Sequence, residues 1–206
     1  MSATSTDPAA ELAQLKKTVA AVVSAAAAAS DPAMWLMALT AVHSLVDSPT
    51  GVRATAPDAS SPRLLVTVGL PASGKTTEAV TWVAEDPARR ARVNRDDLRR
   101  MLHGGRLGTA EQEAAVTAIQ HPAVLALLEL GYDVVVDDTN LSTAAMGAWR
   151  RLSEQAGAWL DVWDFTAIDV EDCVRRDAER TGPAHVGEPV IRRLHTQHLA
   201  WGGEER

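Results

Sequence analysis

The sequence predicts an α/β fold: a parallel sheet of four to five strands covered by helices, preceded by an α-helical hairpin. Three observations carry this. Short apolar runs alternate with helical patterns from residue 63 onward, and strands separated by helices imply right-handed crossovers and a parallel sheet. The runs are continuously apolar, as strands buried on both faces require. The 206 residues, 46% hydrophobic and 23% charged, suffice for one such domain plus an appendage.

Residues 1–48 read as an alanine-rich helical hairpin. Asp7-Pro8 offers a cap with proline at the first helical position, and Leu12, Leu15, Val19, Val22 and Val23 give one apolar face. Asp31-Pro32 repeats the start signal before a second stripe, Trp35, Leu36, Leu39, Val42, Leu45 and Val46. Residues 49–62 hold Pro49, Gly51, Pro57 and Pro62 among small polar residues and read as a linker. The remaining domain is 63–206. Strands are expected at 63–69, 91–94, 132–137 and 159–167. Helices are expected at 74–84, 96–102, 109–130, 141–156, 170–180 and 188–201, with Pro122 kinking or breaking the third of them.

The net charge of −7 argues against a protein that coats nucleic acid through its global field, though not against a local grip on a few phosphates. One cysteine, Cys173, excludes an internal disulfide and a cysteine-based metal site, and suits a reducing interior. The apolar run 19–29 is too short to span a bilayer. The first basic residues, Lys16 and Lys17, follow Asp7 and Glu11, which is not a signal-peptide pattern. A cytoplasmic protein without a membrane partner is expected. The histidines show no zinc-like cluster, and most of the six tryptophans fall at apolar positions expected in the core.

Gly69-Leu70-Pro71-Ala72-Ser73-Gly74-Lys75-Thr76 fits the phosphate-loop pattern, with a strand before it and a helix after it. Glycines let backbone N–H groups turn toward phosphate oxygens, and the helix N-terminus adds partial positive charge. Lys75, the one lysine after Lys17, is expected on the β- and γ-phosphates of ATP, and the Thr76 hydroxyl on Mg²⁺. Thr77 completes the loop's expected ATP contacts.

Asn94-Arg95-Asp96-Asp97 ends the second strand, where such sheets open onto their ligand crevice. An aspartate there can take the proton of an incoming hydroxyl, or simply cap the following helix. Asp137 and Asp138 end the third strand, where a carboxylate can hold Mg²⁺ directly or through water. Spacing does not choose between these two, and they could equally cap a helix at Leu141.

GLPASGKTT (69–77), VNRDDLRRMLHG (93–104) and VVVDDTNLS (134–142) resemble, in this order, the kinase domain of phage polynucleotide 5′-kinase and its P-loop relatives, over roughly residues 64–200. The resemblance implies a P-loop kinase-like fold and ATP-dependent phosphorylation of a 5′-hydroxyl end of DNA or RNA. It matches Asp96 to the general base and Arg99 to a contact on the acceptor's phosphate. Arg180, in Arg176-Asp-Ala-Glu-Arg180, matches the lid arginine over the ATP phosphates, with Arg176 beside it. Asp138-Thr139-Asn140 matches the family's D-T-N triplet. Asp138 is thereby implied beside Thr76 at the metal, and Arg95, Thr139 and Asn140 beside the acceptor. A repair role in a bacterial or phage-infected cell follows from the same resemblance. The chain departs from the pattern in lacking a phosphatase-type D-x-D signature, in its N-terminal hairpin and in the segment 100–132. Two alternatives stay open: a kinase of another hydroxyl (a modified base, a nucleoside or a small molecule) and a nucleotide-dependent scaffold.

Seven arginines between Arg89 and Arg106 are accompanied only by Asp96 and Asp97, which reads as a local positive funnel for a strand end. Arg175, Arg176, Arg192 and Arg193 form a second group near the lid. The hairpin's apolar stripe must be buried, on the domain, on another copy or on a protein partner.

Overall fold

A computed structural model describes residues 57–105 and 107–200. The expected hairpin, most of the linker, Arg106 and Trp201 lie outside them. Strands β1 (Arg63–Val68), β2 (Arg90–Arg92), β3 (Asp133–Val136) and β4 (Trp159–Asp164) form one sheet in the order β2-β3-β1-β4. Every pair is parallel, with Leu64 opposite both Val134 and Leu160. The helices are α1 (Lys75–Glu85), α2 (Arg95–His103), α3 (Ala110–Glu129), α4 (Thr143–Ala156), α5 (Val170–Ala178) and α6 (Glu188–His198), with a 3₁₀ turn at Gly182–Ala184.

Alternate residues of the same strands bury on opposite faces. Leu64, Val66, Val134 and Val136 pack with Val124 and Leu128 of α3 and with Trp149 and Leu152 of α4. Leu65 and Val135 pack on Ala79, Trp82 and Val83 of α1 and on Trp163. The parallel, doubly covered sheet expected from continuous apolar runs is therefore the one formed. A third cluster, Leu70, Cys173 and Ile191, joins the loop after β1 to α5 and α6.

Local chemistry explains where elements start and stop. The α2 cap is Asn94, whose side chain accepts from the Asp97 N–H at 2.8 Å; neither Asp96 nor Asp97 caps it. Helix α4 begins after Ser142, not at Leu141, because the serine hydroxyl caps the Ala145 N–H. Thr109 and Gln112 form a reciprocal capping box at the start of α3. Pro122 does not break α3, which runs unbroken from Ala110 to Glu129. A proline interior to a helix costs about 3 kcal/mol, and buried Val116, Ile119, Val124 and Leu128 along α3 offset it. Strand β4 ends early because the Asp164 carboxylate accepts from the Thr166 N–H at 2.8 Å and turns the chain.

Candidate active site

The loops after β1 and β3, on adjacent strands, and the start of α2 after β2 share the C-terminal edge of the sheet, where open α/β sheets bind ligands. Gly69 leaves β1 with φ +155, and a Cβ there would sit 2.8 Å from the Phe165 Cβ and 3.1 Å from its backbone. Only glycine fits that approach. Gly74, at φ +103, ends the loop and starts α1, and a Cβ there would meet nothing within 4 Å. Ala72 is also left-handed, at φ 63. Ser73 is buried, its N–H donating to the Leu70 carbonyl, while Pro71 is half-buried.

Lys75 is buried inside this loop. Its ammonium donates to the Gly69 carbonyl at 2.9 Å, to the Leu70 carbonyl and to Ser73 Oγ at 3.2 Å. Burial pulls its pKa down to about 8, against the opposing pull of Cys173, Asp137 and Asp138; the Arg180 charge lowers it further. The lysine thus reaches back across the loop, beside the carbonyls of Gly69 and Leu70. Thr76 and Thr77 are exposed on the first turn of α1.

The end of β3 is tied to the phosphate loop. Thr67 Oγ1 donates to the Asp138 carbonyl at 3.0 Å, and the Gly69 N–H donates to the Thr139 carbonyl at 3.0 Å. The two aspartates then diverge. Asp137 is buried and receives Arg92 through both oxygens, from Nε at 2.9 Å and Nη2 at 3.0 Å. Asp138 accepts from the Arg95 N–H at 2.8 Å and from Gln120 Nε2 at 2.6 Å. Loss of solvent pushes its pKa up to about 6. Asn140 is buried and left-handed, at φ 44; its amide donates to the Thr67 carbonyl and accepts from the Trp149 indole, each at 2.9 Å. Both ends of that amide are engaged in holding the loop.

On α2, Asp96 is 85% exposed and pairs with Arg99 Nη1 at 2.6 Å. Arg99 is only 14% exposed and is held from its other side by Glu113 of α3, at 2.7 Å from Nε and 2.7 Å from Nη2. The same glutamate takes Arg95 Nη2 at 2.8 Å, while Arg95 Nη1 donates to Thr117 Oγ1 at 2.7 Å. Two guanidinium groups, Arg99 first, hold the Glu113 carboxyl down at about 2. No motif marks Glu113; its one signal is a place in the acidic first turn of a long helix. The arginine cluster is correspondingly not an open positive funnel. Arg90, Arg92, Arg95, Arg99 and Arg100 each face a carboxylate at 2.5–2.9 Å.

Beside these groups lies a cleft of about 400 Å³ between α3, α4 and α6. Arg95, Asp138, Thr139 and Asn140 line one end, and Leu141, Ala145, Ala148 and Leu194 supply apolar wall. His121 lines it too, edge-on to Trp149 with centroids 4.7 Å apart. The segment expected as the lid follows β4: Arg176 lies on α5 and Arg180 just beyond it, with Arg180 Nη1 3.5 Å from the Ala184 carbonyl.

The donor set suits a hard cation. It offers the exposed Thr76 hydroxyl and an Asp138 carboxylate with lone pairs left after two hydrogen bonds. Among the described residues no group of three or more histidine, cysteine or acidic side chains gathers to hold a metal. No described helix is long and apolar enough to cross a membrane.

The family described as AAA domain matches residues 64–201. A chain of the Pnkp1/Rnl/Hen1 RNA repair complex is 31% identical, over 68% of this chain and 45% of its own, with a TM-score of 0.61. A further structure of the Pnkp1/Rnl/Hen1 complex is also 31% identical, over 59% of this chain and 41% of its own, with a TM-score of 0.53. This chain therefore spans less than half the length of those relatives. Chaetomium thermophilum Kti12 in complex with ADP-AlF3 is 21% identical, over 66% of this chain and 79% of its own, with a TM-score of 0.52, and shares the fold.

Proposed function

The chain belongs to the AAA domain family, with a P-loop kinase-like fold, and on that premise we propose that it transfers the γ-phosphate of ATP to a 5′-hydroxyl end of DNA or RNA. The observation that carries the reading is the convergence, on one sheet edge, of the Lys75 loop with the Asp96–Arg99 pair. The likeness to a chain of an RNA repair complex supports a nucleic-acid acceptor.

In this reading the loop N–H groups and Lys75 hold the β- and γ-phosphates, with Lys75 released from the Gly69 and Leu70 carbonyls as it does so. Asp96, exposed on α2, accepts the proton of the acceptor hydroxyl as its oxygen bonds to the γ-phosphorus and the bond to the β-phosphate oxygen breaks, leaving ADP. Arg99, fixed by Glu113 through Nε and Nη2, turns its Nη1 from Asp96 to the acceptor's phosphate. Arg180, with Arg176 nearby, meets charge on the transferring group from the lid side. Thr76 and Asp138 would hold Mg²⁺, which neutralises phosphate charge when bound. Arg95, Thr139 and Asn140 shape the acceptor's end of the cleft.

One observation favours a second reading, transfer to a nucleoside or another small hydroxyl compound. The arginines around Asp96 are already paired with carboxylates, and a cleft of about 400 Å³ is in the size range of a small-ligand site. Incubation with labelled ATP and, in parallel, a 5′-hydroxyl DNA oligonucleotide, its RNA counterpart and free nucleosides separates them. Label on an oligonucleotide end supports the first reading; label on nucleosides alone replaces it with the second. ATP binding without transfer to any acceptor would leave a nucleotide-dependent scaffold.

A further inference from the structure

Asp177 is the most deeply buried acidic side chain near the lid, 1% exposed, and nothing in the transfer step described above uses it. It sits one turn after Cys173 on the face of α5 that is buried in the domain. Its carboxylate closes the loop that follows. Val186 N–H donates to Oδ1 and Oδ2 at 3.2 and 3.1 Å, Gly187 N–H donates to Oδ2 at 2.7 Å, and His185 Nδ1 lies 3.3 Å from Oδ2. Gly187 is the residue from which α6 starts, at φ +93. One side chain therefore fastens the end of α5 to the start of α6 across the turn Gly182–Ala184.

Arg180 belongs to the same closed loop. Its N–H donates to the Asp177 carbonyl at 3.0 Å, its Nη1 lies 3.8 Å from Asp177 Oδ1, and the same nitrogen reaches the Ala184 carbonyl. The charge of Arg180 adds to the causes that lower the Lys75 pKa. A long arginine on an untethered nine-residue loop would lose much of its side-chain and backbone freedom on meeting phosphate.

We propose that Asp177 is a positioning residue, which by tying the 181–187 turn to α5 and facing Arg180 presents that arginine to the phosphates of a bound nucleoside triphosphate. The inference rests on the reading of Arg180 as a phosphate contact. It assigns to Asp177 no contact with nucleotide and no part in proton transfer.

A double-mutant cycle on the full chain tests it, with ATP affinity as the readout and thermal unfolding as the check on folding. Asp177→Ala is expected to weaken ATP binding about tenfold when Arg180 is present, and by less than about twofold in an Arg180→Gln background. Asp177→Asn keeps an oxygen for the Val186 and Gly187 N–H groups, and is expected to restore most of the affinity lost in Asp177→Ala and to fold if the alanine variant does not. Equal losses in both backgrounds, or undiminished binding in Asp177→Ala, would overturn the proposal. Unchanged ATP binding in Arg180→Gln alone would remove the reading of Arg180 and the inference with it. Failure to label any acceptor bears on the transfer reaction and leaves this cycle readable.

Discussion

Glu113 of α3 grips Arg99 of α2 through both carboxylate oxygens, each 2.7 Å from a guanidinium nitrogen, and reaches Arg95 with one of them. Helices α2 and α3 are thereby locked through one acid. Charge-assisted paired contacts of this kind are the geometrically specific ones.

Glu113→Gln is expected to lower kcat/KM for the acceptor by about tenfold or more, while KM for ATP stays within about twofold, because the amide loses the charge and sets an NH2 donor against Arg99 Nε or Nη2, where the carboxylate accepts from both. The same variant has a pH signature. The folded pKa, about 2, lies below the ordinary 4.5, so the stabilisation is full above pH 4.5 and is lost as pH falls toward 2. Thermal unfolding should show wild type ahead of Glu113→Gln at neutral pH, and the gap closing over that window.

Asp138 carries the opposite sign. Its folded pKa, raised to about 6 from 3.8, means that stability present below pH 3.8 is lost as pH rises through about 6. Asp138→Asn, with the Gln120 amide turned to present its oxygen, should gain thermal stability relative to wild type between those values. Transfer activity should fall in the same variant. A stability difference that does not change with pH would place the Asp138 titration elsewhere.

Gly69→Ala is expected to destabilise the domain by about 1–3 kcal/mol. The added methyl meets the Phe165 backbone and Cβ, which cannot move aside as a flexible side-chain tip would. Chemical denaturation measures this directly. Gly74→Ala, strained in φ but sterically open, should be milder on stability.

Lys75→Met should leave the fold intact, since an apolar side chain of similar length fills the buried channel, and should reduce phosphoryl transfer by at least about a hundredfold. The loss of three loop hydrogen bonds predicts faster exchange of the loop amides in the same variant, read by hydrogen–deuterium exchange.

The parallel sheet and the phosphate loop were legible because they depend on local pattern: continuous apolar runs, and glycines at fixed offsets from Lys75. The Asn94 cap was hidden because asparagine and the aspartates after it have similar capping strength. Pro122 did not end the helix because the burial of α3 on the sheet outweighed the local rule. The arginine cluster misled for a related reason. Three of its partners, Glu85, Glu113 and Asp137, lie outside residues 89–106, so charge counted within that segment could not show these pairings. Asn140 was expected at the acceptor, but its contacts to Thr67 and Trp149 need the packed β1–β3–α4 corner to be seen.

In the proposed reaction Asp96 takes the hydroxyl proton while the phosphate loop holds the triphosphate. The most direct measurement is single-turnover transfer of labelled γ-phosphate to a 5′-hydroxyl oligonucleotide by wild type and Asp96→Asn, with ATP affinity measured on both. Equal ATP affinity and at least about a hundredfold slower transfer are expected in the variant. Transfer by Asp96→Asn at the wild-type rate would contradict that role.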